Sequence, residues 1–313
     1  MAKYRHNLPQ MSGDLFLTDG GIETYLVFQQ GIDLPEFAAF DLLKDEAGRT
    51  TVRQYYENYI SIAKRRKVGF VLESTTWRAN PDWATKIGYS TEALDQMNRR
   101  SIELLQELRD EHEDVATPMV VSGCIGPRHD GYNPEEIMGE SVAQDYHTAQ
   151  IQSFAQAGAD MVTAITMTNV PEAVGITRAA QQAGMPVSIS FTVETDGRLP
   201  TGMPLSEAIA QVDAITDNGP AYYMINCAHP THFEDALAKG ESWVNRVRGL
   251  RANASTMSHA ELDNSEVLDE GNPTELGGQY RQLRNKLGHI NVLGGCCGTD
   301  HRHVEAICLA CAA

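Results

Sequence analysis

Residues 161–191 read MVTAITMTNV PEAVGITRAA QQAGMPVSIS F, and the order of patterns within them decides the fold. A short apolar, β-branched run at 161–165 gives way to helical spacing over 172–183, then Gly184, then a second such run at 187–191. Runs of this length without polar alternation are what strands buried on both faces look like. Gly184 stands where a helix C-terminal cap belongs, because glycine enters the left-handed region without a Cβ penalty.

The same alternation continues in both directions. Further strand runs stand at 15–18, 68–72, 119–122, 221–225 and 290–293, with a weaker one at 250–252. Helical spacing covers 51–66, 93–111, 141–157, 205–216 and 280–287; Gly158 reads as a C-cap, and Asp300 as the N-cap of a last helix. Eight strands alternating with helices, without an internal repeat or a low-complexity linker, predict one α/β domain over residues 1–313, a (β/α)8 TIM barrel. The competing architecture is an open doubly wound sheet. Its dinucleotide-binding form needs Gly-x-Gly-x-x-Gly after the first strand, and Thr18-Asp19-Gly20-Gly21 does not supply it. The stretches 125–139, 193–204 and 253–278 are long and polar, and a barrel gathers them on the face where active sites are built.

The chain has 313 residues, with 25 Lys+Arg against 42 Asp+Glu and a formal net charge of −17. That balance argues against nucleic acid as a partner, since no basic surplus exists to displace counterions from phosphates. It tilts toward neutral or cationic small molecules. Hydrophobic residues at 42 % support a sizeable core. Residues 1–10 lack the apolar stretch of a signal peptide, and no run approaches the ~20 apolar residues of a membrane helix. The expectation is therefore a cytoplasmic protein without a membrane partner; an oligomer is compatible with the sequence. Six cysteines are too few for a disulfide scaffold, and two of them, Cys296 and Cys297, are adjacent. Such thiols in a chain without a leader more often serve metal or catalysis.

One or two residues past the strand runs stand Asp19, Glu73, Cys124, Thr166, Thr192, Cys227, Asn253 and the Cys296–Cys297 pair. A barrel brings these together. Three thiolates from Cys227, Cys296 and Cys297 make a plausible open zinc site with a fourth position free. Gly294, Gly295 and Gly298 let the backbone bend enough for consecutive cysteines to face one ion. The bland alternative is that these are buried free cysteines; others are a redox-active pair or a non-catalytic zinc-binding barrel. Cys124 reads as core, and the Cys308/Cys311 pattern as ordinary packing. His229 reads either as a ligand or as a loop histidine bonded to its neighbours. Zinc carrying three thiolates is a poor activator of water but suits lowering the pKa of a fourth thiol and keeping it nucleophilic. The chemistry this points to is alkyl transfer to a thiol.

With these residues in place the chain resembles the homocysteine S-methyltransferase family over roughly residues 15–307. The most specific likeness is Gly294-Gly295-Cys296-Cys297-Gly298-Thr299 with Asn226-Cys227; Thr18-Asp19-Gly20-Gly21, Leu72-Glu73-Ser74-Thr75-Thr76-Trp77 and Gly123-Cys124-Ile125-Gly126-Pro127 also match. The resemblance implies a zinc-dependent barrel with Zn2+ on Cys227, Cys296 and Cys297, a small-molecule thiol acceptor, most simply homocysteine, and an onium methyl donor. It implies acceptor contacts from Asp19, Gly20, Gly21, Glu73, Thr76 and Trp77, with Asp19 at the amino group. One departure stands out. The family usually has a Glu at the end of the fourth strand, also on the amino group, and here that position is Ile165. Either Glu73, Glu172 or Glu194 replaces it, or the acceptor is a different small thiol. For the donor, Trp77, Phe37, Tyr25 and Tyr132 are the aromatic candidates, since aromatic faces bind onium cations.

Overall fold

The computed structural model describes residues 2–132, 134, 136–237 and 240–312. Strands β1 (Phe16–Leu17), β2 (Gly69–Glu73), β3 (Met119–Ile125), β4 (Met161–Met167), β5 (Val187–Phe191), β6 (Tyr222–Asn226), β7 (Val247–Ala252) and β8 (Val292–Gly295) pair in chain order into a closed barrel. The closure is parallel, Phe16 beside Val292 and Leu17 beside Leu293, which overturns the open-sheet alternative.

The two-residue period of each strand sorts its side chains. On β2, Phe70 and Leu72 join the large core between strands and helices. Val71 joins a separate cluster with Phe16, Val120, Met161, Met224 and Val292, which fills the lower barrel and is joined by Leu8 from the N-terminal segment. Toward the C-terminal ends of the strands this filling turns polar. Ser122 and Thr163 hydroxyls meet at 2.9 Å, and Ser190 donates to Asn226 Oδ1 at 2.6 Å. The site stands on that polar layer.

The helices begin where caps permit. The 51–66 helix starts further upstream, as Glu46–Arg66, because the Asp45 carboxylate accepts from Gly48 N at 2.9 Å. The 172–183 helix is Val170–Gln182, opened by Asn169 and Pro171, and Gly184 follows it with φ +64°. Gly158 caps Glu140–Ala157 at φ +89°, and the Asp300 carboxylate opens His301–Cys311 by accepting from Arg302 N at 2.9 Å. The 253–278 stretch is not one loop. It holds a short helix, His259–Asp263, and the first turn of Pro273–Lys286, which Asn272 caps. Two further helices, Pro81–Lys86 and Pro230–Leu237, have periodicities too short to read from sequence. Among the described residues no helix is long and apolar enough to cross a membrane.

Asp160, at the base of β4, holds the lower rim together. Its carboxylate accepts from Arg109 Nη1 (2.8 Å), Val121 N (2.9 Å), Lys3 N (2.6 Å) and Tyr4 N (2.8 Å). Both charged groups are almost fully buried. Replacing Asp160 with alanine leaves Arg109 buried without its partner, and breaking such a pair costs about 3–5 kcal/mol. Urea unfolding of Asp160→Ala is expected to show a loss of that size; a midpoint within error of wild type would remove Asp160 from this role.

Candidate active site

Three cysteines converge at the C-terminal mouth of the barrel. β6 ends at Asn226, so Cys227 is the first residue of the following turn, with φ +52°. β8, two strands on, ends in Gly294-Gly295 and delivers Cys296 and Cys297 to the same rim. The three sulfurs lie within 4.8 Å of one another. Cys227 and Cys297 Sγ are 3.9 Å apart, and Cys227 and Cys296 are joined as a disulfide. A tetrahedral zinc with Zn–S near 2.3 Å separates its sulfurs by about 3.8 Å, so the Cys227–Cys297 spacing suits such an ion, and reduction of the disulfide frees Cys227 and Cys296 to join Cys297 as ligands. Burial pushes the Cys297 thiol up to about 11, and a bound cation would reverse that.

The surrounding residues fix these sulfurs in place. Asn226 Oδ1 accepts from Thr166 N (2.8 Å) while its Nδ2 donates to Thr166 Oγ1 (2.9 Å), and the same Nδ2 approaches Cys296 Sγ at 3.8 Å. Thr166, next to last in β4, is itself held at φ +60°, so left-handed residues stand near the end of β4 and just past β6, and the Asn226 amide ties the two strands there. Tyr132 donates to Cys297 Sγ at 3.4 Å and stacks on His259, with ring centroids 4.0 Å apart. The His259 ring bonds Cys227 O at 2.7 Å and Glu194 at 2.9 Å. The β1 turn packs directly on the β8 turn. A Cβ on Gly21 would sit 2.5 Å from Cys296 O, and one on Gly20 would sit 2.7 Å from Thr299 O. These glycines are therefore required by the close approach of the two turns.

Two unequal cavities share Glu23, Trp77, Ile165, Cys296 and Cys297. The larger, about 420 Å³, is walled by Phe37, Trp77, Trp83 and Tyr132. The smaller, about 50 Å³, lies over the ends of β1, β2 and β7 and is lined by Asp19, Gly20, Gly21, Glu73 and Arg251. Of the aromatic candidates for the donor, Tyr25 does not line either cavity; it packs on Tyr55 at 5.4 Å. Arg78 lies over Trp77 and Trp83, at 4.9 and 3.6 Å from the ring centroids, so those faces already carry a cation.

Charge in the small cavity is unevenly matched. Asp19 is buried, and its carboxylate accepts from Arg251 Nη2 at 2.6 Å and Tyr55 OH at 3.0 Å. Burial pushes the Asp19 carboxyl up, against the attraction of Arg251. Arg251 also donates to Gly295 O (3.1 Å) and Gly20 O (3.3 Å), which ties β7 to both turns. Glu73 is 3 % exposed, keeps Oε2 without a hydrogen-bond partner, and is raised by burial to about 7. Burial likewise raises Glu23 to about 7, and among the described residues no ion pair to its carboxylate is formed.

Several expected residues are committed elsewhere. Thr76 donates to Cys124 O at 2.7 Å and meets Ser74 Oγ at 2.6 Å, so its hydroxyl braces β2 against β3. Glu172 bonds His147 Nε2 (3.0 Å) and Arg128 N (2.8 Å), and Glu194 bonds His259, so neither lines the small cavity. His229 stands apart from the sulfur cluster; its Nδ1 meets Thr231 Oγ1 at 2.8 Å, and burial lowers it to about 4. Cys124 is buried and lines the small cavity, and Cys308 and Cys311 pack in the core. Glu23 and Arg251 were missed from the sequence. Arg251 had a signal, a lone charge inside a buried strand run, which must find a partner. Glu23 had only its position just past the Gly20-Gly21 turn.

A profile of the homocysteine S-methyltransferase family matches residues 16–311. Homocysteine S-methyltransferase 1 of Arabidopsis thaliana is 22 % identical, over 96 % of this chain and 94 % of its own length. Selenocysteine Se-methyltransferase of Brassica oleracea var. italica is 24 % identical, over 95 % and 88 %. The homocysteine methyltransferase MmuM of Escherichia coli, in its oxidized form, has the same fold, with a TM-score of 0.76 at 19 % identity over 96 % of this chain and 97 % of that one. Its metallated form gives 0.73 at 18 % identity, over 94 % and 95 %. The chain belongs to the homocysteine S-methyltransferase family and is a methyltransferase that acts on thiols.

Proposed function

We propose that this protein is a zinc-dependent S-methyltransferase of the cytoplasm, which moves a methyl group from a small onium donor to homocysteine and so forms methionine. S-Methylmethionine, another sulfonium or a betaine fits the donor class. The observation that carries this reading is the meeting of three cysteine sulfurs with two cavities of unequal size. An all-sulfur donor set favours a soft or borderline ion, and zinc adds no redox chemistry.

Zinc on Cys227, Cys296 and Cys297 would bind the acceptor thiol and keep its sulfur nucleophilic once the proton has left to solvent. The new bond forms between that sulfur and the methyl carbon. The bond from methyl to the donor onium breaks with its electron pair going to the donor, which leaves neutral at that atom. The chain's own contribution is positioning and exclusion of water. Gly20, Gly21, Glu73 and Trp77 line the acceptor side, Asp19 acts through Arg251, and Thr76 holds the turn that carries Trp77. Phe37, Trp77 and Tyr132 wall the donor side, and Tyr132 donates to Cys297. Hydrogen bonding to a thiolate moderates its basicity, as with other charged acceptors.

The test is reduced, zinc-loaded protein offered homocysteine with S-methylmethionine, dimethylsulfoniopropionate, glycine betaine and S-adenosylmethionine in turn. Methionine is expected from one donor, with a loss of rate of about twentyfold or more on chelation that added zinc reverses. Tight zinc with no thiol exchange would instead indicate a non-catalytic metal site. Ile165 on the cavity wall makes other small thiols, and selenols, the next acceptors to try.

A further inference from the structure

Among the described residues, Glu23 is the one carboxylate that lines both cavities. It stands on the first helical turn after β1 (Ile22–Thr24) and lines the small cavity with Ile165, Cys296 and Cys297. In the small cavity, three carboxylates (Asp19, Glu23, Glu73) line the space with one guanidinium, whose Nη2 and Nε go to Asp19 and two backbone carbonyls while its Nη1 keeps no partner. Glu73 keeps one carboxylate oxygen without a partner although it is almost wholly buried. Buried acceptors in this state are costly unless a donor arrives. A space of about 50 Å³ has room for roughly four waters, enough for a primary ammonium on a short stem. The onium centre that gives up the methyl carries no N–H or O–H and cannot satisfy carboxylate oxygens by hydrogen bonding, whereas a primary ammonium brings three donors.

We infer that Glu23, with Glu73, forms the ammonium subsite of the acceptor, and that it makes the enzyme select thiols bearing an amino group despite the apolar Ile165 wall. This rests on the thiol-methylating, metal-dependent reading of the site. Glu23 is thereby a specificity-determining residue: it touches the acceptor's amino group, while the reacting sulfur lies at the cysteines. The larger cavity is left to the donor.

The experiment uses full-length protein with cobalt(II) in place of zinc, and reads the thiolate-to-metal charge-transfer band as homocysteine or its desamino analogue, 4-mercaptobutyrate, is titrated in. Wild type is expected to bind homocysteine at least about 30-fold more tightly. Glu23→Gln is expected to weaken homocysteine by about 10- to 100-fold, the range for a charged hydrogen bond, and to leave the desamino thiol unchanged. Glu23→Asp keeps the charge and should fall between. Ile165→Glu placed on top of Glu23→Gln returns a carboxylate to the same space and should restore much of the preference. In steady state on zinc, the loss should appear in KM for the acceptor and not for the donor. Equal weakening of both thiols, an unchanged preference, or a loss confined to donor KM would overturn the assignment. A cobalt band that no thiol perturbs in the wild-type protein would overturn the function itself, and is distinct from all of these.

Discussion

Cys297→Ser is expected to give a folded barrel that neither holds zinc nor transfers methyl groups. The cysteine follows β8 in the turn that meets Cys227, and its sulfur is 3.9 Å from that of Cys227. A serine hydroxyl in the same place is a hard, neutral donor with a much higher pKa than a thiol, so it does not replace a thiolate on a borderline-soft ion. Thiolate-rich zinc sites are worth about 10–16 kcal/mol in total, so loss of one ligand should cost roughly 3–4 kcal/mol, or several hundred-fold in affinity. Cys297 is also not needed for the core, because its side chain faces the cavities. Circular dichroism should therefore be unchanged while metal content, measured after dialysis against a weak chelator, drops to background and turnover falls by about a thousandfold or more. A variant that kept full activity would remove these cysteines from the chemistry.

Arg251→Met should destabilise the barrel strongly. The side chain is buried and bonds Asp19 Oδ1, Gly20 O and Gly295 O, so it links β7 to the turns after β1 and β8. Burial opposes its charge, yet Asp19 and Glu73 keep the guanidinium protonated. Methionine has a similar reach and no charge, so it leaves Asp19 buried without its cation. Breaking such a pair costs about 3–5 kcal/mol, where replacing both members by apolar groups is often close to neutral. The double variant Arg251→Met/Asp19→Leu is accordingly expected to regain part of the stability that Arg251→Met loses, and chemical denaturation measures both. Activity should not return with it, since the turn carrying Gly20 and Gly21 has lost its tether. If the single variant unfolds at the wild-type midpoint, the pair is not holding the turns.

The barrel was readable because its signals are local and repeated. A strand buried on both faces must be a short apolar run, and the helix that follows must have a stripe for the sheet and a cap at its end, as residues 161–191 show before any coordinates are known. Gly158 and Asp300 cap the helices expected of them for the same reason. Boundaries set by side-chain caps alone, such as Asp45 and Asn272, were less legible, since a capping residue is also an ordinary loop residue until its hydrogen bond is seen. The 253–278 stretch looked polar and unstructured because its short helix offers too few turns to show a period.

For the site, the sequence by itself determined that Cys227, Cys296 and Cys297 end strands, and strand ends of a barrel share one face; adjacent cysteines between glycines have few other uses. It could not decide which acidic residues serve the substrate. Asp19, Glu172 and Glu194 are indistinguishable from Glu23 and Glu73 along the chain, because a carboxylate's role depends on what lies within 3 Å of it. Only the tertiary structure gives Asp19 to Arg251, Glu172 to His147 and Glu194 to His259. It leaves Glu23 facing a cavity without an ion pair, and Glu73 with an unpartnered oxygen. Local pattern fixes elements and the ends where chemistry gathers; pairing across the barrel, as between Asp19 and Arg251, 232 positions apart, decides which charges are spent on the fold and which remain for a ligand.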